Sequence, residues 1–355
     1  MSNKFSLCAL ALASIAALCA TPASADEITV TAWGGAYTKS QEEAYYKPFT
    51  AKTGTKVAIQ DYNGDLAEIA AQVKTGNVKW DVVDVELAEA IKGCEEGLFE
   101  KIDAAKLPAG ENGTAAVKDF ATGLLTPCAV ATILYSNVVA FDKGKLGDKG
   151  PKSLNDYFDL ARFPGKRGMR KNPSVNLEWA LMADGVAPAD VYKVLATPAG
   201  VDRAFKKLDT IKSSVVWWTA GAQPPQLLAS GEVVMTSVYH GRIYDANMKD
   251  KRNFALVWDG QVQVPDLFVV VKGTKNSAAA QEFVRFATSS NALAEQAKWI
   301  PYAPARASSL SKIAAETKQW LPNGGHGGRQ MLTSAEFWSE YGDDLNKRFA
   351  AWLAK

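Results

Sequence analysis

The sequence predicts an α/β protein built of two units, and three observations carry that expectation. Short β-branched runs alternate with amphipathic stretches along most of the chain, the pattern of a sheet with helices on both faces. Residues 26–355, the part that follows a leader-like N-terminus, suit about two domains at the usual ~100–200 residues each. Between the two alternating regions lies "CAVATILYSNVVAF" (128–141), a long β-rich run suited to carry the chain from one unit to the other.

The first unit opens on a strand at "EITVTAW" (27–33). "TKSQEEAYYKPFTAKTG" (38–54) reads as a helix, with Thr38 or Ser40 as cap, Glu42 and Glu43 in the first turn and Gly54 as its stop. "TKVAIQDY" gives a second strand, "DLAEIAAQVKTGN" a second helix, "WDVVDVEL" a short buried strand and "AEAIKGCEEGLF" a third helix. In the second unit, helices are predicted at "NLEWALMADG", "PADVYKVL" and "AGVDRAFKKLDTIKSS". They are followed by "VVWWTAG", a helix at "PPQLLASG", the strand "EVVMTSVYHG", a helix at "RIYDANMKD" and the strand "NFALVWDG". "DLFVVVKGTKN" is a further apolar strand, "SAAAQEFVRFATSS" a helix, and the tail "SAEFWSEYGDDLNKRFAAWLAK" is helical and amphipathic. No internal repeat or low-complexity linker interrupts the pattern.

The N-terminus sets the expected compartment. Lys4, the apolar "SLCALALASIAALCA" and "ASA" (23–25) form a cleavable secretion signal, residues 1–25. Leu18 before Cys19 argues against a lipid-anchored variant, and no later run reaches the ~18 apolar residues of a spanning helix. The expected product is therefore exported and periplasmic. Two cysteines remain, Cys94 and Cys128. An even count in an oxidising compartment favours their disulfide, with two buried free thiols as the alternative. A formal net charge of +2 leaves no footprint for nucleic acid or an anionic membrane.

Enzyme signatures are scarce. There is no G-x-S-x-G elbow, H-E-x-x-H pair or Walker loop, and "PGKRGMRK" (164–171) reads as an exposed basic turn. His240 and His326 show no metal-ligand spacing, and no cofactor is expected. His326 lies in the flexible "NGGHGGR", and His240 has no evident nucleophile beside it, so a secreted hydrolase-like enzyme would rest on His240 alone.

Binding is better supported. In open α/β sheets ligands settle outside the carboxyl ends of strands. Trp33, Gly34 and Gly35 lie at such an end, as do Asp84 and Glu86. Trp33, Tyr37, Trp217, Trp218, Tyr239, Trp258 and Tyr302 fall near predicted turns or strand ends, and aromatic faces hold ammonium groups by ~0.5–2 kcal/mol each. A single such ring is more often core than ligand wall; several together shift the balance. Asp266, directly before an apolar strand, is the acid that would neutralise an amine.

The residues also resemble a known family. "ITVTAWGGAY", "WDVVDVE", "CEEGLFEKID", "ATILYSN", "FPGKRGM", "GEVVMTSVYHGR", "VPDLFVVVKGTKN" and "IPYAPAR", in this order, are similar to the periplasmic solute-binding proteins of ABC transporters, specifically the spermidine/putrescine-binding group. The resemblance implies a type II periplasmic-binding-protein fold, with two mixed-sheet lobes joined by crossing segments and closing on a ligand. Lobe 1 is expected over 26–135 plus 264–301 and lobe 2 over 136–263 plus 302–355. The implied partners are a small amine or amino-acid-like ligand and an inner-membrane ABC permease, with the chain acting as a monomer. Carried over by position, Trp33 and Tyr37 form an aromatic wall, with Gly34 and Gly35 allowing close backbone approach. Asp266 holds an ammonium, Tyr302 is a contact near a hinge, and Trp218 and the Tyr239–Arg242 stretch face the cleft; Glu86 is a further candidate.

The chain departs from that group at "RKNPSVN", where Asn172 and Val175 stand about where polyamine binders carry acids. Arg242, in turn, offers a guanidinium suited to a carboxylate. An acid and an arginine facing one another suit a short ω-amino acid such as 4-aminobutyrate. Polyamine remains the other expectation, with Asp84 or Glu86 restoring a dicationic site. Thiamine and ferric iron are rival ligands, and a role in sensing rather than transport is a further alternative.

Overall fold

The computed structural model describes residues 27–355, apart from positions 65 and 323. The predicted secretion signal lies outside the described residues. Among the described residues no helix is long and apolar enough to cross a membrane.

Ten strands form one sheet among these residues. They are β1 (Glu27–Ala32), β2 (Lys56–Asp61), β3 (Val82–Glu86), β4 (Ala129–Asp142), β5 (Arg167–Arg170), β6 (Val215–Trp218), β7 (Met235–Tyr239), β8 (Phe254–Val270), β9 (Ala303–Pro304) and β10 (Gln330–Leu332). The main path runs β2-β1-β3-β8-β4-β7-β5-β6, with β9 pairing β4 and β10 pairing β8. β1 to β3 are parallel, and β5 to β7 are parallel. The long antiparallel strands β4 and β8 connect the two groups. β3 pairs with the last residues of β8, from Glu86↔Asp266 to Val82↔Val270. β7 pairs with the second half of β4, Asn137–Phe141. Each group thus becomes the sheet of one lobe, and β4 and β8 are the crossing segments.

Each lobe has its own apolar core. Val82, Val83, Tyr45, Phe49, Phe268 and Phe283 belong to the first, and Leu177, Trp179, Met235, Phe349 and Trp352 to the second. A third cluster, in which Tyr37, Tyr135, Trp218, Tyr239 and Tyr302 meet, fills the junction between them. The C-terminal helix Ala335–Leu353 buries Phe337, Leu345, Phe349 and Trp352 in the second core. Residues 303–313, expected with the second lobe, instead contact the first. β9 pairs with Ile133 and Leu134, and Arg306 Nε donates to Asp119 Oδ2 at 2.6 Å, a fully buried ion pair.

Several elements differ from their sequence expectation. "PGKRGMRK", expected as an exposed basic turn, contains β5, where Arg167 and Met169 are fully buried and the strand pairs with β6 and β7. The first helical run begins earlier, at Gly35, and widens into a π-helical stretch, Glu42–Tyr46, before continuing as Lys47–Thr53. Pro48 supplies no N–H to the helical ladder, and the wide turn sits immediately before it. Thr38 and Ser40, expected to cap the helix, lie inside it; the N-cap is Gly34, whose N–H donates to Thr38 Oγ1 at 2.8 Å. The two strands expected around "NFALVWDG" and "DLFVVVKGTKN" are a single strand, β8. Gly260, at φ 86°, absorbs a register slip against β4 between Asn137 and Val139, so pairing resumes on either side of it. Cys94 and Cys128 form a disulfide, Cα to Cα 5.8 Å, tying the end of helix Leu87–Glu95 to the start of β4.

Candidate functional site

The strand pairing sets the acids. Because Glu86 lies directly opposite Asp266 in the antiparallel β3–β8 pair, two carboxylates from sequence-distant strands stand side by side. Two residue pairs further along β8, Tyr135 on β4 stands opposite Val264, and its hydroxyl donates to Glu86 Oε1 at 2.7 Å. Trp33 and Tyr37 follow β1, Tyr239 ends β7, and Arg242 lies in the first turn of helix His240–Lys249. Together with Tyr302 these residues line a narrow cavity between the lobes: Trp33, Tyr37, Glu86, Tyr135, Tyr239, Arg242, Asp266 and Tyr302.

The cavity is an aromatic cage. Tyr37 and Tyr302 lie 5.6 Å apart between ring centres, Tyr135 and Tyr302 5.8 Å, and Tyr135 and Tyr239 4.9 Å edge-on. Asp84 lies beneath it, fully buried, and accepts the Tyr37 hydroxyl at 2.9 Å and the Gln41 amide. It fixes Tyr37 and does not line the cavity. Burial pushes the Asp84 carboxyl up to about 7, against the pull of these donors.

Asp266 is the more exacting case. It is 3 % exposed, and its Oδ1 has no hydrogen-bond partner among the described residues. Burial raises its carboxyl well above the ordinary range, and the neighbouring carboxylates Asp84, Glu86 and Glu89 raise it further, with Arg170 acting in opposition. A buried carboxylate without a donor is costly, and a cation placed beside it removes that cost.

Two arginines of the second lobe reach the first. Arg242 Nη1 donates to the Gly34 carbonyl at 2.7 Å and Nη2 to that of Trp33 at 3.3 Å, while its buried Nε has no partner among the described residues. Gly35 makes this approach feasible. Its φ is 58°, and a Cβ there would lie 3.0 Å from Arg242 Nη1. Arg170, at the end of β5, places Nη1 3.4 Å from Glu86 Oε1. Outside the cage, Lys92 of the first lobe meets Asp343 of the C-terminal helix at 2.7 Å. These contacts hold the lobes together across the cleft.

The structure places the remaining candidates as follows. Gly34 contributes its carbonyl to Arg242 and not a wall of the cavity. Trp218 is 1 % exposed and packs edge-on behind Tyr239 at 5.7 Å, away from the cavity lining. It ends β6, and its side chain turns into the junction cluster. Trp217 packs against Phe349 and Trp352 in the second core, and Trp258 stacks on His326 at 3.5 Å. Asn172 lines an outer cleft, and Val175 is buried in the second core at φ 72°.

His240 has both ring nitrogens engaged. Nδ1 accepts the Ser136 N–H at 3.1 Å, and Nε2 lies 2.8 Å from the Pro301 carbonyl, to which it donates. Burial lowers its pKa to about 4. It pins β4 to the segment before β9 as a neutral imidazole. Sequence reasoning missed Tyr135 and Arg170. Tyr135 faces the same side of β4 as Ile133, the partner of Asp266, but only the strand pairing shows it, since β4 is buried on both faces.

The chain matches the family of bacterial extracellular solute-binding proteins over residues 44–322. It is 43% identical over 349 residues to the gamma-aminobutyric acid-binding protein of Pseudomonas aeruginosa, covering 98% of this chain and 96% of that one. Among solved structures it is similar to the Atu4243 GABA receptor, at 34% identity and a TM-score of 0.79, covering 93% of this chain and 98% of that chain. It is also similar to the binding protein MotA of A. tumefaciens B6, solved with glucopine, at 28% identity and a TM-score of 0.84 over 92% of this chain and 99% of that one.

Proposed function

The chain belongs to the bacterial extracellular solute-binding proteins, and from that premise we propose that it captures a short ω-amino acid, 4-aminobutyrate or a close analogue, for an ABC permease. In this reading the protein is exported to the periplasm by its N-terminal signal, acts as a monomer and hands intact ligand to the membrane partner.

One observation carries the ligand. Two buried ionisable groups, the carboxyl of Asp266 and the guanidinium of Arg242, line one cavity, and each keeps an atom without a partner among the described residues: Oδ1 of Asp266 and Nε of Arg242. A zwitterion whose ammonium meets Asp266 and whose carboxylate meets Arg242 satisfies both. The tyrosine faces and Trp33 cover the methylene chain between them. A diamine would satisfy the acid and leave a second cation against Arg242. Ferric iron would draw on phenolates, yet burial pushes the Tyr239 hydroxyl up to about 12 and those of Tyr37 and Tyr135 well above the ordinary value. His240, with both nitrogens bonded to backbone, offers no base for a hydrolytic alternative.

The geometry also supports a two-lobed mechanism. Arg242 and Arg170 reach the first lobe only when the lobes are together, so a ligand enters after they part and stabilises their return. The test is isothermal titration with 4-aminobutyrate, putrescine and spermidine in parallel, followed by recovery of the ligand. One-to-one binding of 4-aminobutyrate, recovered unchanged, is expected. Binding of polyamines alone, or turnover of the ligand, overturns the reading.

A further inference from the structure

Arg170 stands where the inner cavity opens into a larger cleft. Gly64, Leu66 and Glu89 line that cleft from the first lobe, Asn172 and Trp338 from the second, and it shares Trp33 and Glu86 with the inner cavity. The Arg170 side chain is only 15% exposed. Its guanidinium carbon lies 5.8 Å from the centre of the Trp33 ring and 5.9 Å from that of Tyr239, and Nη1 is 3.4 Å from Glu86 Oε1. Nη2 donates to the Asn63 carbonyl at 3.5 Å. A carboxylate flanked by two aromatic faces is the environment that holds an ammonium ion. Here the chain's own cation fills it.

We propose that Arg170 is a specificity-determining residue, a tethered guanidinium that occupies the second-cation position of the cleft and thereby excludes diamines and longer polyamines. The proposal rests on the reading of Asp266 as the ammonium partner. A polycation with one ammonium on Asp266 needs a second acid within reach, and Glu86, opposite Asp266 in the β3–β8 pair, is the acid beside it that lines the same cavity. Glu86 is already neutralised by Arg170 and hydrogen-bonded by Tyr135. A second ammonium brought to Glu86 must displace the guanidinium or share its cage, and like charges a few ångströms apart in a part-buried site repel strongly. A zwitterion has no second cation to place and is not opposed in this way.

The test compares Arg170→Gln and Arg170→Lys with the wild type, reading putrescine and spermidine affinity by calorimetry. Arg170→Gln is expected to gain at least tenfold for spermidine or putrescine. Arg170→Lys, which keeps the cation, is expected to gain less than threefold, and adding Glu86→Gln to Arg170→Gln is expected to remove the gain. A folded Arg170→Gln protein that binds polyamines no better than the wild type overturns the proposal, as does an equal gain in Arg170→Lys or tight polyamine binding by the wild type. Should Arg170→Gln not melt cooperatively, Arg170→Met is read in its place by the same criteria. Wild-type affinity for 4-aminobutyrate is measured separately. Its absence would overturn the functional reading while the polyamine comparison still decides the role of Arg170.

Discussion

Arg242 of the second lobe places Nη1 2.7 Å from the carbonyl oxygen of Gly34 in the first, and its buried Nε, beside the cavity, has no partner among the described residues. One side chain thus has two tasks, joining the lobes and offering a donor to a ligand. Replacing it by methionine removes both. A charge-assisted contact contributes roughly 1.5–3 kcal/mol, so 4-aminobutyrate should lose about tenfold to a hundredfold in affinity. n-Butylamine, which lacks the carboxylate, should lose only the share that reflects closure. Calorimetry with the two ligands separates the tasks. An equal loss for both would leave Arg242 as a latch between lobes and nothing more.

Asp266 carries the opposite charge and a cost. Burial and the nearby carboxylates raise its pKa in the folded protein, whereas in the unfolded chain it ionises at the ordinary value. Between those two pKa values the folded state binds more protons, so this group lowers stability as pH rises through the window. Asp266→Asn removes the titration and should melt at a higher temperature than the ligand-free wild type at pH 8, while binding no amine. A ligand ammonium lowers the same pKa, so binding should release protons over the pH range in which the free carboxyl is protonated, and should tighten as pH rises through that range. Titrations in two buffers of different ionisation enthalpy read the proton count. An unchanged melting temperature with intact binding in Asp266→Asn would remove Asp266 from the site.

How much of this was legible in the sequence depends on the range over which each feature is decided. Trp33 and Tyr37 follow a strand recognisable from its own residues, and Asp266 stands out as a charge directly before an apolar run. Tyr135 did not stand out, because β4 is buried along almost its whole length and its alternation of faces is hidden in a continuous apolar pattern. Arg170 sits in a locally basic stretch that reads as solvated. What buries it is Glu86, 84 positions earlier, and the rings of Trp33 and Tyr239. Trp218 shows the converse error, since a strand end was placed correctly but the side chain's direction there is set by packing on Tyr239. Gly260 and Pro265 read as breaks between two strands, and only the pairing of β8 with β4 and β10 shows that the strand continues through them.

The disulfide ties residues 34 positions apart and lies at the start of β4, seven residues before Tyr135. Loop-closure entropy for a ring of that size is about 3–4 kcal/mol at 25 °C. The Cys94→Ser, Cys128→Ser double variant should therefore unfold at markedly lower denaturant concentration than the oxidised protein. Its affinity for 4-aminobutyrate should stay within a few-fold, because neither cysteine touches the cavity. A large loss of affinity with little loss of stability would instead mean that the bridge positions β4 for binding.

His240 gives the protein an acid-sensitive joint. Its imidazole is held neutral between the Ser136 N–H and the Pro301 carbonyl, and burial lowers its pKa from 6.5 to about 4. Between those values the unfolded chain binds a proton that the folded chain does not, so stability from this group is present above pH 6.5 and falls as pH drops towards 4. Going from pH 7.5 to 4.5 should cost about 2–3 kcal/mol through this residue alone. Other buried groups respond in the opposite direction: burial raises Glu178 and Asp84 to about 7, and both favour the folded state as pH falls. The comparison must therefore be a difference. His240→Gln should be less stable than the wild type at pH 7.5, and the gap should close by about 2–3 kcal/mol at pH 4.5 in urea titrations. A gap that stays constant across that range would mean that the imidazole is not held neutral at this joint.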